Sequence, residues 1–149
     1  MDRIKIAITM ITSVLSSFLG VLYIPVLLMV SCNVIDYITG LAAAKYRKDG
    51  GISSYKSIRG IVKKVTMWML VAVGVIIDSL ISYSANTIGL NIPFKFLVAC
   101  VVTIWIVCNE LISILENMID IGVNIPPFLI PIVKRIKSNA EDKIKIDEE

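Results

Sequence analysis

Histidine is absent from the 149 residues, which removes the side chain most often used for proton transfer near neutral pH and the commonest metal ligand. Cysteine is scarce as well: Cys32, Cys100 and Cys108 all fall inside apolar runs, without metal-ligand spacing. Cys100 and Cys108, eight apart on one helix, stand about 12 Å apart and cannot be bridged. All three read as small buried hydrophobes. There is no glycine-rich phosphate loop and no nucleophile beside a base, so no catalytic, cofactor-binding or metal residue is assigned and an enzyme is not expected. Charge is sparse too: 18% of residues are charged, against about 25% in soluble domains. Residues 6–35 carry none at all.

What is present is apolar. Hydrophobic residues make up 56% of the chain and the mean hydropathy is +0.82, above the 45 to 50% apolar content of soluble domains. This predicts an all-α polytopic membrane protein, with residues 1–138 as one membrane domain and residues 139–149 as a mobile charged tail. The basic residues cluster beside apolar runs: Lys45, Arg47, Lys48, Lys56, Arg59, Lys63 and Lys64 stand against the single acid Asp49. Without interleaved aromatics, such a cluster fits anionic lipid headgroups and not nucleic acid.

One bilayer crossing takes about 20 residues, so the uncharged run 6–35 is too long for one span and too short for two. Continuing past Asp36 to Ala44 resolves this into spans at 4–22 and 24–44, with a tight external turn around Tyr23 and Pro25. Pro25 then sits in the first turn of the second helix, where no intrahelical hydrogen bond is lost. Met29 to Cys32 resembles a lipoprotein cleavage box, but the apolar run is too long for a signal peptide and is interrupted by proline. After Gly50-Gly51, Ser53 or Ser54 caps a helix that starts amphipathic at the headgroups and becomes a third span at 62–85. Its Val, Ile and Leu residues offset the roughly 3 kcal/mol of Asp78. The fourth span is 96–118. Residues 128–138, with Lys134, Arg135 and Lys137 off the apolar face, are expected to lie flat on the cytoplasmic leaflet as an interfacial segment.

Four spans place two basic residues at the amino terminus, seven in the second loop and five in the tail on the cytoplasmic side, and leave only Lys95 outside. This is a strong positive-inside bias, with both termini in the cytoplasm. A three-span version with an external amino terminus and a first helix at 6–32 is the alternative.

The residues that need explaining are acids within these spans. Asp36 shares a face with Asn33 and Gly40, and Asp78 with Gly74 and Ser82. Glu110, Ser113 and Asn117 form one helical stripe, with Asn109 and Glu116 beside it. No Lys or Arg is expected at their depth. Polar stripes on lipid-bound helices face protein or water, so either they line an aqueous lesion between subunits or they meet inside one four-helix unit as packing glue. Ser13 and Ser17, Ser16 and Gly20, and Gly74 are small residues that allow close helix approach.

The succession Asp36-Tyr-Ile-Thr39-Gly40, Ala42 to Lys45, Ile52-Ser53-Ser54, Gly60-Ile-Val-Lys63-Lys64, Asp78, and Asn109-Glu110-Leu-Ile-Ser113-Ile-Leu-Glu116-Asn117 followed by Gly122 and Pro126 to Leu129 resembles the toxin-secretion/phage-lysis holin family. The resemblance implies a small phage or prophage protein of the bacterial cytoplasmic (host cell) membrane that forms homo-oligomers and opens lesions. Endolysin, or a large toxin, then leaves the cytoplasm. An antiholin of the same fold, which delays a holin by assembling with it, is the near alternative. A small ion- or proton-coupled channel or transporter is the alternative from another class.

Overall fold

A computed structural model describes residues 2–47, 54–93 and 95–142. Lys48, the Gly50-Gly51 break, Ser53 and the side chain of Lys56 lie outside the described residues, as does the tail beyond 142. The described chain is helical: α1 (Asp2–Leu19), a single 3-10 turn (Gly20–Leu22), α2 (Tyr23–Ala43), α3 (Ser54–Thr87), α4 (Leu97–Ile121) and α5 (Leu129–Asp142). There is no strand among the described residues. Three segments are long and apolar enough to cross a membrane, Gly20–Ala43, Ser57–Thr87 and Leu97–Ile121. α1 is shorter, with Asp2, Arg3 and Lys5 among its 18 residues.

Helix ends follow local chemistry. The first turn lies at Gly20–Leu22 and not around Tyr23 and Pro25. Gly20 sits at φ +52°, a backbone region that glycine enters without a Cβ penalty. Gly20 is therefore a turn residue, and the expected role on a packing face does not hold. Pro25 does fall in the first turn of α2. α4 ends on Gly122 at φ +97°, with the Val123 N–H donating to the Met118 carbonyl 2.9 Å away, a Schellman closure.

α4 is the central helix. α2, α3 and α5 each pack on it, whereas the α2 and α3 backbones stay apart and are joined through the Lys64 side chain, and α1 barely touches anything. Met29, Val71 and Ile106 form the buried core at the meeting of α2, α3 and α4, flanked by Met67, Val102, Trp105 and Val107. Most other apolar side chains of the three long helices face outward, as lipid-exposed surfaces do. Within the helices, Ser31, Thr66, Ser79 and Thr103 donate their hydroxyls to the carbonyl four residues earlier, which satisfies them without a neighbour.

α5, the expected interfacial segment, turns back along α4, burying Val133. The Trp105 indole donates to Glu141 at 2.6 Å, and Lys137 lies over the same ring, 5.0 Å from its centroid. The turn at Gly122 and the prolines Pro126 and Pro127 reverse the chain, so the Val133 edge of the amphipathic helix meets α4.

Candidate functional site

Two polar centres lie where α3 meets its neighbours. The first is built on Lys64. Its ammonium donates to Asp36 Oδ2 on α2 at 2.8 Å, to Asn33 Oδ1 on α2 at 3.4 Å, and to Glu110 Oε2 on α4. The three donors of a lysine thus reach three acceptors on two helices. Lys64 and Asp36 keep 16% and 17% of their side-chain surface, and Glu110 only 4%.

The network continues along α4. Asn117 donates from Nδ2 to Asp36 Oδ1 at 3.1 Å and to Thr39 Oγ1 at 3.2 Å. Its Oδ1 accepts from Arg47 at 2.9 Å, and the Arg47 Nε donates to Asp120 at 2.6 Å. Gly40 lies beside it: a Cβ there would stand 3.6 Å from the Asn117 amide, in ordinary van der Waals contact. Glu110, Lys64, Asp36, Asn117, Arg47 and Asp120 therefore form one chain of contacts, three carboxylates against two cations.

This overturns the expectation that no cation lies at the depth of these acids. α3 is continuous from Ser54, so Lys64 already stands beside α2 and α4, and its four-carbon stem carries the ammonium inward. Lys64 and Arg47 are thus network members and not free headgroup contacts. Lys45, Arg59 and Lys63 are exposed, as are Lys134 and Arg135, while Lys137 is half-buried over Trp105.

The second centre is Asp78, 7% exposed. Its two oxygens accept the backbone N–H groups of Val98 and Ala99 at 2.9 and 2.8 Å. These are the second and third residues of α4, the positions an N-cap side chain serves. The N-cap position itself is held by Phe96, at φ +63° and with no side-chain acceptor. Asp78 supplies the cap from α3, and its negative charge meets the positive end of the α4 dipole. Gly74, one turn earlier, allows the approach: a Cβ there would lie 2.9 Å from the Ala99 Cα.

Among the other expected residues, Asn109, Ser113 and Ser82 are half-buried, and Glu116 is exposed. Ser13, Ser16 and Ser17 are exposed on α1. Asn33 is 7% exposed and its Nδ2 has no hydrogen-bond partner among the described residues. Thr39 and Asp120 join the network without having been expected there. Asp120 was legible, since 110, 113, 117 and 120 continue one helical stripe. No group of metal-ligating side chains occurs among the described residues.

A model of the bacteriophage holin family matches residues 13–138. The chain belongs to the bacteriophage holin family. A probable holin of Bacillus phage phi105 is 28% identical over 122 residues, covering 82% of this chain and 81% of that protein. An uncharacterized protein of Listeria innocua is 36% identical over 126 residues, 85% of this chain and 81% of the relative. Another, from Clostridium perfringens, is 29% identical over 142 residues and 95% of each chain. No solved structure matches. All members of the two polar centres lie within the stretch matched to the holin family, whereas most of α1 precedes it.

Proposed function

We propose that this chain is a holin: it accumulates in the bacterial cytoplasmic membrane with both termini in the cytoplasm, self-associates laterally, and opens lesions through which endolysin or a large toxin crosses. α1 serves as a fourth span. The chain has no catalytic role, and endolysin is a functional partner that needs no stable binding to it.

The observation that carries the reading is the Lys64 network inside a holin-family helix bundle. A membrane protein that waits and then opens must keep ionisable groups away from lipid while it waits. Here Asp36 and Glu110 face Lys64, and Asp78 faces the α4 backbone, so the waiting state holds its acids against protein. Rearrangement of the oligomer then turns Asp36 and Glu110 toward water. The exposed basic residues Lys45, Arg59 and Lys63 hold the cytoplasmic end at anionic headgroups.

The test is expression of this chain alone in cells holding a cytoplasmic endolysin. Abrupt lysis is expected, and Asp36→Asn and Glu110→Gln shift its timing. No endolysin release overturns the holin reading, and delay of a co-expressed holin assigns the antiholin role. Ion flux with the enzyme retained assigns a channel. Unaltered timing and lesion size in both amide variants refute the role of the acids.

A further inference from the structure

Asp36, Asp78 and Glu110 are occupied by Lys64, Asn117 and backbone N–H groups, but a second polar surface reaches as deep into the bundle. Trp105 is sixteen residues from Ile121, the end of α4 that leads to α5, or about 24 Å along the helix. Glu110, at about 16 Å, is nearer that end. Because Glu141 accepts from the Trp105 indole, α5 penetrates beyond the Lys64 network. Glu141 also lines a hollow of about 230 Å³ with Leu70, Val101, Val102 and Trp105, all residues of the membrane-crossing segments.

α5 is amphipathic at 100° per residue. On its apolar face Val133 is buried and Leu129 and Ala140 are half-buried. Ile132 and Ile136, on the flank of that face, and Phe128, just before the helix, are exposed. Lys134, Arg135 and Ser138 are exposed on the polar side, and Glu141 borders it, held by Trp105. At this depth each Lys or Arg facing lipid carries roughly 2.5 to 3.5 kcal/mol of insertion penalty, so that side belongs against water.

Resting on the holin reading above, we propose that α5 forms part of the water-facing wall of the lesion: it packs along α4 with Glu141 held by Trp105, turns Ile132 and Ile136 to lipid, and turns Lys134, Arg135 and Ser138 to the aqueous passage. The chemistry required of the passage is water alone. The sign of the charge on the ridge is therefore unimportant, whereas its polarity is essential.

Two measurements on the full chain test this. In cells holding a cytoplasmic endolysin, Lys134→Glu with Arg135→Glu keeps the ridge wet and is expected to retain release. Lys134→Leu with Arg135→Leu is expected to lose it while the chain still integrates. Both side chains are exposed, so neither pair removes a buried contact. The opposite pattern, with leucines tolerated and glutamates not, is that of a headgroup anchor and overturns the proposal. Spin labels placed by Leu97→Cys and Asn139→Cys, with Cys32, Cys100 and Cys108 replaced by alanine, are read in membranes made permeable by the chain. A separation of roughly 15 to 20 Å is expected for α5 along α4, and more than about 35 Å for α5 on the leaflet; the long distance alone overturns the wall. If the unmodified chain releases no endolysin, the holin reading fails, and the label distance still decides where α5 lies.

Discussion

Replacing Lys64 by methionine removes the ammonium that joins α3 to α2 and α4 while keeping an unbranched apolar stem. Asp36 Oδ2 and Glu110 Oε2 sit on one ammonium, so the two carboxylates lie about 5 Å apart, and at an effective dielectric of 20 their repulsion is about 3 kcal/mol. Removing one partner of a buried ion pair destabilises by about 3 to 5 kcal/mol, which agrees with that figure. Lys64→Met is therefore expected to lower stability in mixed micelles by about 3 to 5 kcal/mol and to bring lysis forward, since the waiting state loses its tie. Adding Glu110→Gln removes one of the two facing charges and is expected to recover about 1 to 3 kcal/mol, the coupling typical of contacting residues. The assay is a double-mutant cycle by denaturant titration, run in parallel with lysis timing. If Lys64→Met matches the parent in both stability and timing, or if the two changes are additive, the network does not hold the waiting state together.

Three further outcomes are expected. Asp78→Ala leaves the Val98 and Ala99 N–H groups without their acceptor and is expected to lower stability by about 2 to 4 kcal/mol, with Asp78→Asn near half of that, measured by the same titration. Gly74→Ala drives a Cβ to 2.9 Å from the Ala99 backbone; it is expected to destabilise by breaking the same cap, so that it is sub-additive with Asp78→Ala. Asn117→Leu removes the links from α4 to Asp36, Thr39 and Arg47 at once and is expected to weaken the α2 to α4 contact by about 1 to 3 kcal/mol, seen as earlier lysis and a lower unfolding midpoint.

The contrast between Asp78 and Lys64 shows where sequence reasoning stops. Asp78 stands out as an acid in an apolar run, and Gly74 and Ser82 mark its face, but its partners are backbone N–H groups twenty residues on, at the start of a helix whose own N-cap is Phe96. A missing cap on one helix and an unexplained acid on another are each visible in the chain; that they meet is not. Lys64 was read as a headgroup residue because it ends a basic run. Its neighbour Lys63 is exposed, and only the rotation of α3 separates the two.

By itself, the sequence determined that this protein is helical and membrane-bound, and it marked the segments that become α2, α3 and α4. It also marked the acids, since hydropathy and helical period are local properties and an acid in an apolar run is conspicuous at once. Tertiary structure alone decided that Asp36 and Glu110 share Lys64, that Asp78 caps α4, and that α5 turns back to Trp105. These contacts join residues 28, 46, 21 and 36 apart in the chain, and they depend on the rotation and axial stagger of whole helices. Those are set by how apolar surfaces fit against α4, which no single segment encodes.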